Sequence, residues 1–348
     1  MSYKKLSYKN PLIQNDLSNI YDHQNDWEKL RSKTVLITGA TGMLASYFSF
    51  MLMYLNDLHD MNIRILLLVR NRDKAYQIFG EDSLVDFVVQ DVCDKITINE
   101  KIDFIIHAAG FSSPYYILKD PVGIIKANTI GTLNIMDLAG EKKVEKVLFT
   151  STREVYGNIG DLEYINESQI GITDPLDYRS CYPESKRMAE TILKSYSLQY
   201  GISFNTVRIA HSYGPGMQLS DDGRVMSDFI SDGVNKKDII LNSDGQAERA
   251  FCYVSDAVSA MFLVLLKGTD NEAYNIANES EPVKLIDLAK LIGTLSQVNI
   301  KINNNNFDSK GYCSYKRAAL DVNKLNSLGW APQIKLETGL KNTLMFFS

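Results

Sequence analysis

Residues Thr34-Val35-Leu36-Ile37-Thr38 run directly into Gly39-Ala40-Thr41-Gly42-Met43-Leu44-Ala45 and then into a helix rich in apolar residues. An apolar strand that turns through glycines into a helix has few structural solutions. Gly39 permits the tight turn, Gly42 lets the backbone approach a pyrophosphate at the helix N-terminus, and Ala45, in the third position of the motif, is small enough for close packing. Short apolar segments at 63–69, 85–89, 104–109 and 147–150 then alternate with helical stretches. That alternation predicts an α/β fold with a Rossmann-type, doubly wound parallel sheet covered on both faces.

The rest of the chain predicts a smaller C-terminal α/β substrate-binding domain. Residues 1–32 are polar and read as an N-terminal extension, packed on the outside or at an oligomer contact. The dinucleotide-binding domain spans 33–208, and 249–275 returns to it. The substrate domain takes 209–248 and 276–348. After Arg208 the pattern loosens: Tyr213-Gly214-Pro215-Gly216 reads as a turn and 251–254 as a strand leading into a helix at 256–266. Further helices are expected at 284–297 and near 335–346, with a polar surface loop at 303–306.

Composition narrows the partners. The net charge of -5 comes without a basic block, so neither nucleic acid nor a membrane surface is expected, and a small molecule is. The apolar stretch at 43–55 is interrupted by Ser46, Tyr47 and Ser49 and falls short of the roughly 20 residues of a spanning helix, so it reads as a buried helix. The polar start Met1-Ser2-Tyr3-Lys4-Lys5 lacks a signal-peptide core, and the expectation is a cytoplasmic protein. Cys93, Cys181, Cys252 and Cys313 have no CxxC spacing, and the four histidines, at 23, 59, 107 and 211, form no ligand pair; no metal is expected.

The second strand ends in Val69-Arg70-Asn71-Arg72. NAD enzymes commonly carry an acidic residue here for the ribose hydroxyl. Arg70 cannot accept that hydrogen bond but can pair with a 2′-phosphate, which favours NADP over NAD; stacking on adenine is its other reading. Asp91 and Val92, after the third strand, are placed to meet the adenine end.

Ser151-Thr152-Arg153-Glu154-Val155-Tyr156-Gly157 and, further on, Tyr182-Pro183-Glu184-Ser185-Lys186 specify a chemistry. A hydroxyl at a strand end, a tyrosine and a lysine one helical turn on form a proton relay for oxidising a sugar alcohol, and Glu154 adds a second acid/base group. With Arg179 to Arg187, Asp222-Gly223-Arg224-Val225-Met226-Ser227 and Arg249-Ala250-Phe251-Cys252-Tyr253-Val254-Ser255-Asp256, these stretches resemble the extended short-chain dehydrogenase/reductase superfamily. Within its nucleotide-sugar epimerases, dehydratases and decarboxylases, they are most similar to the UDP-glucuronic acid decarboxylases, over about 33–345.

The resemblance implies Thr152, Glu154, Tyr182 and Lys186 as catalytic residues and a tightly bound, recycled NAD(P)+. The dinucleotide would be held by Gly39, Thr41, Gly42, Met43, Arg70, Asp91, Val92, Ala108, Ala109, Asn128, Tyr182 and Lys186. A nearby ammonium and the positive nicotinamide ring are expected to favour the Tyr182 phenolate. The resemblance also implies a nucleotide-sugar substrate contacted by Arg249 at the pyrophosphate and by Arg317 at the sugar, with a homodimer formed through two helices beside the sheet.

Two positions depart from the family pattern. Arg153 stands where decarboxylases have Ser and 4,6-dehydratases an Asp acid; a guanidinium is a poor proton donor, which weakens dehydration and would suit a C6 carboxylate. His211 replaces the family's Asn and leaves the sugar or phosphate contact open. The expected activity is transient oxidation of the sugar C4 hydroxyl followed by decarboxylation of a UDP-hexuronate such as UDP-glucuronate. A 4-epimerase, a 4,6-dehydratase and a non-catalytic dinucleotide sensor are the alternatives.

Overall fold

Continuous apolar strands can be buried on both faces when helices cover both sides of a sheet. The computed structural model, which describes residues 5–24, 26–160, 162–220, 222–303 and 319–348, has that arrangement. Its main sheet contains β1 (Thr34–Thr38), β2 (Arg64–Val69), β3 (Val85–Val89), β4 (Phe104–His107), β5 (Lys146–Thr152), β6 (Phe204–Ile209) and β7 (Glu272–Ile276). All pair in parallel, in the order β7-β6-β5-β4-β1-β2-β3. The order reverses between β1 and β4, where the connections leave in opposite directions and open a crevice at the carboxyl ends of the strands.

The helices are α1 (Pro11–Asp22), α2 (Met43–His59), α3 (Arg72–Phe79), α4 (Pro114–Lys119), α5 (Pro121–Lys142), α6 (Cys181–Tyr200), α7 (Val225–Val234), α8 (Val254–Lys267), α9 (Leu285–Ser296), α10 (Asn323–Asn326) and α11 (Leu336–Phe347). Alternate side chains of each strand feed the two helical layers. Val35 and Ile37 of β1 pack with Phe48 of α2 and Phe262 of α8, whereas Leu36 joins Ile135 of α5 and Leu193 of α6. Among the described residues, no helix is long and apolar enough to cross a membrane.

Two strands, β6 and β7, were not separable by sequence pattern. β6 places Asn205, Thr206 and Arg208 among its apolar residues, so no apolar run marks it. Two of those polar groups are instead paired inside the protein: Asn205 Nδ2 donates to the Thr269 carbonyl at 2.6 Å and Arg208 Nη2 to Glu190 at 2.6 Å. In the expected strand at 251–254, Cys252 and Tyr253 pair with Ser212 and Tyr213, and Val254 already begins α8.

The second lobe is built from α7, α9 and α11 with short strand pairs, among them Ile239–Leu241 beside Ile300–Ile302 and Glu248–Arg249 beside Val283–Lys284. The N-terminal stretch packs on the outer helical layer. Asn10 caps α1 by accepting from the Leu12 N–H at 3.0 Å, Pro11 starts it, and Ile13, Leu17 and Ile20 lie on its buried face.

α1 also buries a carboxylate. Asp16 Oδ2 accepts the Tyr47 and Tyr253 hydroxyls, each at 3.0 Å. Burial pushes its pKa up to about 7, against the two tyrosine hydrogen bonds and with help from Asp256. A carboxyl group whose folded pKa lies above its unfolded value contributes stability that is complete below the unfolded pKa and is lost as pH rises through the folded pKa. The wild-type protein should therefore lose thermal stability between about pH 5 and about pH 8 relative to Asp16→Asn, whose amide oxygen still accepts both hydroxyls. Parallel melts measure this, and identical pH dependence in the two proteins contradicts it.

Candidate active site

The crevice between the lobes is a cavity of ≈ 1460 Å³. A single small-ligand pocket is typically about 300–1,000 Å³, so this one accommodates two extended ligands end to end. One end is walled by the glycine loop and the ends of β2 and β4. The other is walled by Arg249, Phe251, Met217 and the 240–247 segment of the second lobe, with the end of β5 and the start of α6 between them.

The glycine loop has the form an anionic dinucleotide needs. Gly39 has φ +64, and a Cβ there would sit 2.5 Å from the Ala108 carbonyl oxygen. Gly42 is the N-cap of α2, and no side chain caps the helix, so its first N–H groups face the cavity. Thr41, Met43, Asp91, Val92, Ala108 and Ala109 line the same end.

Arg70 also lines it, 3.8 Å from the Asp91 carboxylate and with its guanidinium 5.2 Å from the Phe111 ring centroid. Asn128 differs from expectation. It does not line the cavity but lies buried in α5, where its Nδ2 donates to Ser185 Oγ at 2.9 Å and its side chain packs under Gly110. It supports the wall from behind.

Between the two ends, β5 finishes at Thr152, and its Oγ1 accepts the Glu154 N–H at 3.2 Å, capping the turn formed by Arg153–Tyr156. Tyr182 stands in the first turn of α6 with Lys186 one turn later, and both are buried and line the cavity. Lys186 Nζ donates to the Thr150 carbonyl at 2.8 Å and lies 4.5 Å from the Phe149 ring centroid. Glu154 accepts from Arg179 Nη2 at 3.4 Å.

Burial acts against the phenolate expected beside an ammonium and a positive nicotinamide ring. Burial holds the Tyr182 phenol above its ordinary range, and the Glu154 carboxylate adds to this; hydrogen bonding with Thr152, the Arg224 charge and hydrogen bonding with Ser112 act the other way. Burial likewise pushes Lys186 down to about 7, against the Glu190 carboxylate. Buried, each group is costly to ionise, so the protein alone disfavours both the phenolate and the ammonium.

Three arginines surround the remaining polar group. His211 is half-buried with φ +44, a left-handed conformation uncommon outside glycine. Burial, followed by the charges of Arg153, Arg249 and Arg224, drives its imidazole well below its ordinary pKa. All four residues line the cavity. Arg224 is oriented by Asp222, with its Nε and Nη2 donating to the two carboxylate oxygens at 2.7 and 2.8 Å. Arg317 lies outside the described residues.

A family model described as the NAD dependent epimerase/dehydratase family matches residues 35–277. The chain belongs to that family. Among relatives of this epimerase/dehydratase-family enzyme, UDP-glucuronic acid decarboxylase 5 of Arabidopsis thaliana is 34% identical over 310 residues, covering 88% of this chain and 86% of the relative. UDP-glucuronic acid decarboxylase 1 of Xenopus tropicalis is 32% identical over 317 residues, covering 90% and 72%. In fold, the enzyme is similar to the UDP-glucose 4-epimerase of Thermotoga maritima, with a TM-score of 0.74 at 23% identity over 90% of this chain and 98% of that one. It is likewise similar to a dTDP-glucose 4,6-dehydratase of Streptomyces venezuelae solved with NAD bound, with a TM-score of 0.76 at 22% identity over 90% and 96%.

Several supporting residues of this family member were not singled out by motif. Thr38 and His107 end β1 and β4. Thr38 Oγ1 accepts the Ala108 and Ala109 N–H groups at 3.1 and 3.0 Å and donates to His107 Nδ1 at 2.9 Å; His107 Nε2 in turn meets Thr132 Oγ1 at 3.1 Å. Burial, then Lys186, pushes His107 down to about 3, consistent with a neutral ring in this network. Glu190 ties the relay helix to the sheet by accepting from Ser151 Oγ and from Arg208 Nη2, each at 2.6 Å. Polar residues at the carboxyl ends of parallel strands, and an acid one turn beyond Lys186, are the signals that mark them.

Proposed function

We propose that the enzyme transiently oxidises the C4 hydroxyl of a nucleotide sugar and decarboxylates a UDP-hexuronate such as UDP-glucuronate. The observation that carries this reading is the proximity of two groups in one cavity: the Thr152, Tyr182, Lys186 relay and the Arg153, Arg224, Arg249 cluster around His211. The relay suits an alcohol that must lose its proton. The arginines suit a substrate with more than one anionic group, a diphosphate and a carboxylate. The 32–34% identity to named UDP-glucuronic acid decarboxylases supports the same substrate class.

The glycine loop, Asp91, Val92, Ala108, Ala109 and Lys186 would hold NAD(P)+, which supplies a reversible hydride acceptor. Tyr182 Oη takes the proton of the C4 hydroxyl, with Thr152 Oγ1 positioning that hydroxyl and Lys186 supplying the positive charge that a phenolate requires. Substrate and cofactor complete the electrostatics that burial alone opposes. With C4 a ketone, the C6 carboxylate belongs to a β-keto acid. Its C5–C6 bond breaks, carbon dioxide leaves, and the electron pair moves into the C4–C5 enolate.

Glu154, held by Arg179, would pass a proton taken up from solvent to C5, and Tyr182 returns the one it took to the C4 oxygen as the ketone is reduced again. Arg153, paired with the carboxylate before it leaves, is a poor proton donor, which disfavours the expulsion of a C6 hydroxyl as water.

Arg70 and Lys74 both line the adenine end of the cavity. Arg70 is 62% exposed, and its 3.8 Å separation from Asp91 is too long for a hydrogen bond, which supports a reading in which its guanidinium fork takes a 2′-phosphate. NADP+ is the cofactor this arrangement favours. Acid-denatured enzyme should release a nucleotide carrying the 2′-phosphate; release of NAD+ alone contradicts the assignment.

Incubation with a panel of UDP-, dTDP-, CDP- and GDP-sugars, followed by mass spectrometry, tests the activity. UDP-glucuronate should give a product lighter by the mass of carbon dioxide, and Tyr182→Phe should lower kcat by roughly 10²- to 10⁴-fold while retaining cofactor. Loss of water from a neutral sugar would instead mark a dehydratase, and an isobaric product an epimerase. Turnover of no sugar would defeat the reading.

A further inference from the structure

The family match begins at residue 35, so α1 and the residues before it lie ahead of the matched segment. They nonetheless touch the wall of the second lobe at two points. Leu6 packs on Gly216: a Cβ at Gly216 would lie 3.1 Å from both Leu6 methyl carbons, and Gly216 has φ +87. Gly216 and its neighbour Met217 line the cavity. At the second point, Asp16 accepts the Tyr253 hydroxyl at 3.0 Å, and Tyr253 pairs across its short strand with Tyr213.

From Tyr253 a series of packed rings leads to the cavity. Tyr253 meets Tyr213 with centroids 5.6 Å apart, Tyr213 meets Phe251 edge-on at 6.3 Å, and Phe251 meets His211 at 5.7 Å. Phe251 and His211 line the cavity, and the Cys252 N–H donates to the His211 carbonyl at 3.2 Å. Tyr213 has no room to retreat on its far side. Its hydroxyl donates to the Leu336 carbonyl at 3.2 Å, and a Cβ at Gly339 would lie 2.2 Å from that hydroxyl oxygen. Close-packed rings transmit a displacement from one to the next because there is little free volume to absorb it.

We propose that residues 5–24 form a positioning strap for the sugar-binding wall, with Leu6 and Asp16 holding 211–217 and 251–253 in place opposite Thr152 and Tyr182. The strap touches no reacting atom and acts through Gly216 and Tyr253. Its effect on substrate rests on the nucleotide-sugar reading, whereas its effect on the wall does not.

Leu6 is partly exposed, so Leu6→Ala should fold. Amide hydrogen exchange on the cofactor-bound enzyme should then quicken by about tenfold over 211–218, with the 39–45 loop and the 182–190 segment unchanged. The KM for the nucleotide sugar should rise by about tenfold with kcat within about twofold of wild type. Asp16→Ala should do the same and Asp16→Asn restore wild-type values. Unchanged exchange over 211–218 in Leu6→Ala, or faster exchange there with an unchanged KM, overturns the strap. If the wild-type enzyme turns over no nucleotide sugar, the functional reading falls alone and the exchange result still decides the strap.

Discussion

The cleft takes its reference from the carboxyl ends of β1 and β4, pinned together by one buried network. Thr38 receives two backbone N–H groups from the segment after β4 and donates to His107, which is itself tied to Thr132 on α5. This fixes Ala108 and Ala109 so close to the glycine loop that no side chain fits at Gly39. Two adjacent strand ends thereby become one rigid surface, with the uncapped N-terminus of α2 on one side and the start of α5 behind. The sheet order reverses at this point, so the crevice opens there.

The proposed relay groups hang from the neighbouring strand, and their position follows from the same sheet. Thr152 is the last residue of β5. Tyr182 and Lys186 come from α6, which Glu190 anchors to Ser151 of β5 and Arg208 of β6. The site is therefore geometrically ready while its charges are not. Burial keeps the tyrosine protonated and weakens the lysine's hold on its proton, whereas Arg153, next to Thr152, and Arg224 and Arg249 of the second lobe bring three positive charges to bear on a neutral His211. A cavity with a cationic wall strengthens its interaction with any anion that enters and displaces water.

Much of this was legible in the sequence, for identifiable reasons. The strand, glycine turn and helix at 34–59 are written locally, because sterics at Gly39 and the apolar character of both flanks act over a few residues. Thr152, Tyr182 and Lys186, which line one cavity, stood out in the sequence because the proposed chemistry imposes a spacing. β6 and β7 escaped because the partners that permit Asn205, Arg208 and Asn275 to be buried, among them Thr269, Glu190 and Ile165, lie far away in sequence. Asn128 was assigned to the cofactor because its place in the pattern does not reveal which way α5 turns it. The cost of charging the relay escaped for the same reason: desolvation is a property of the assembled pocket. The N-terminal stretch looked merely polar because Ile13, Leu17 and Ile20 form a narrow stripe, and the purpose of Asp16 depends on two tyrosines on other elements.

The central claim is that one cavity oxidises and reduces the same sugar carbon, so that hydrogen leaves C4 and returns to it within a single visit. UDP-glucuronate deuterated at C4, turned over by the enzyme and examined by NMR and mass spectrometry, measures that directly. The account predicts a decarboxylated product that keeps its deuterium at C4. A product with hydrogen from solvent at C4, or turnover of the C4-deuterated and the C4-protiated sugar at equal rates in single-turnover reactions, would contradict it.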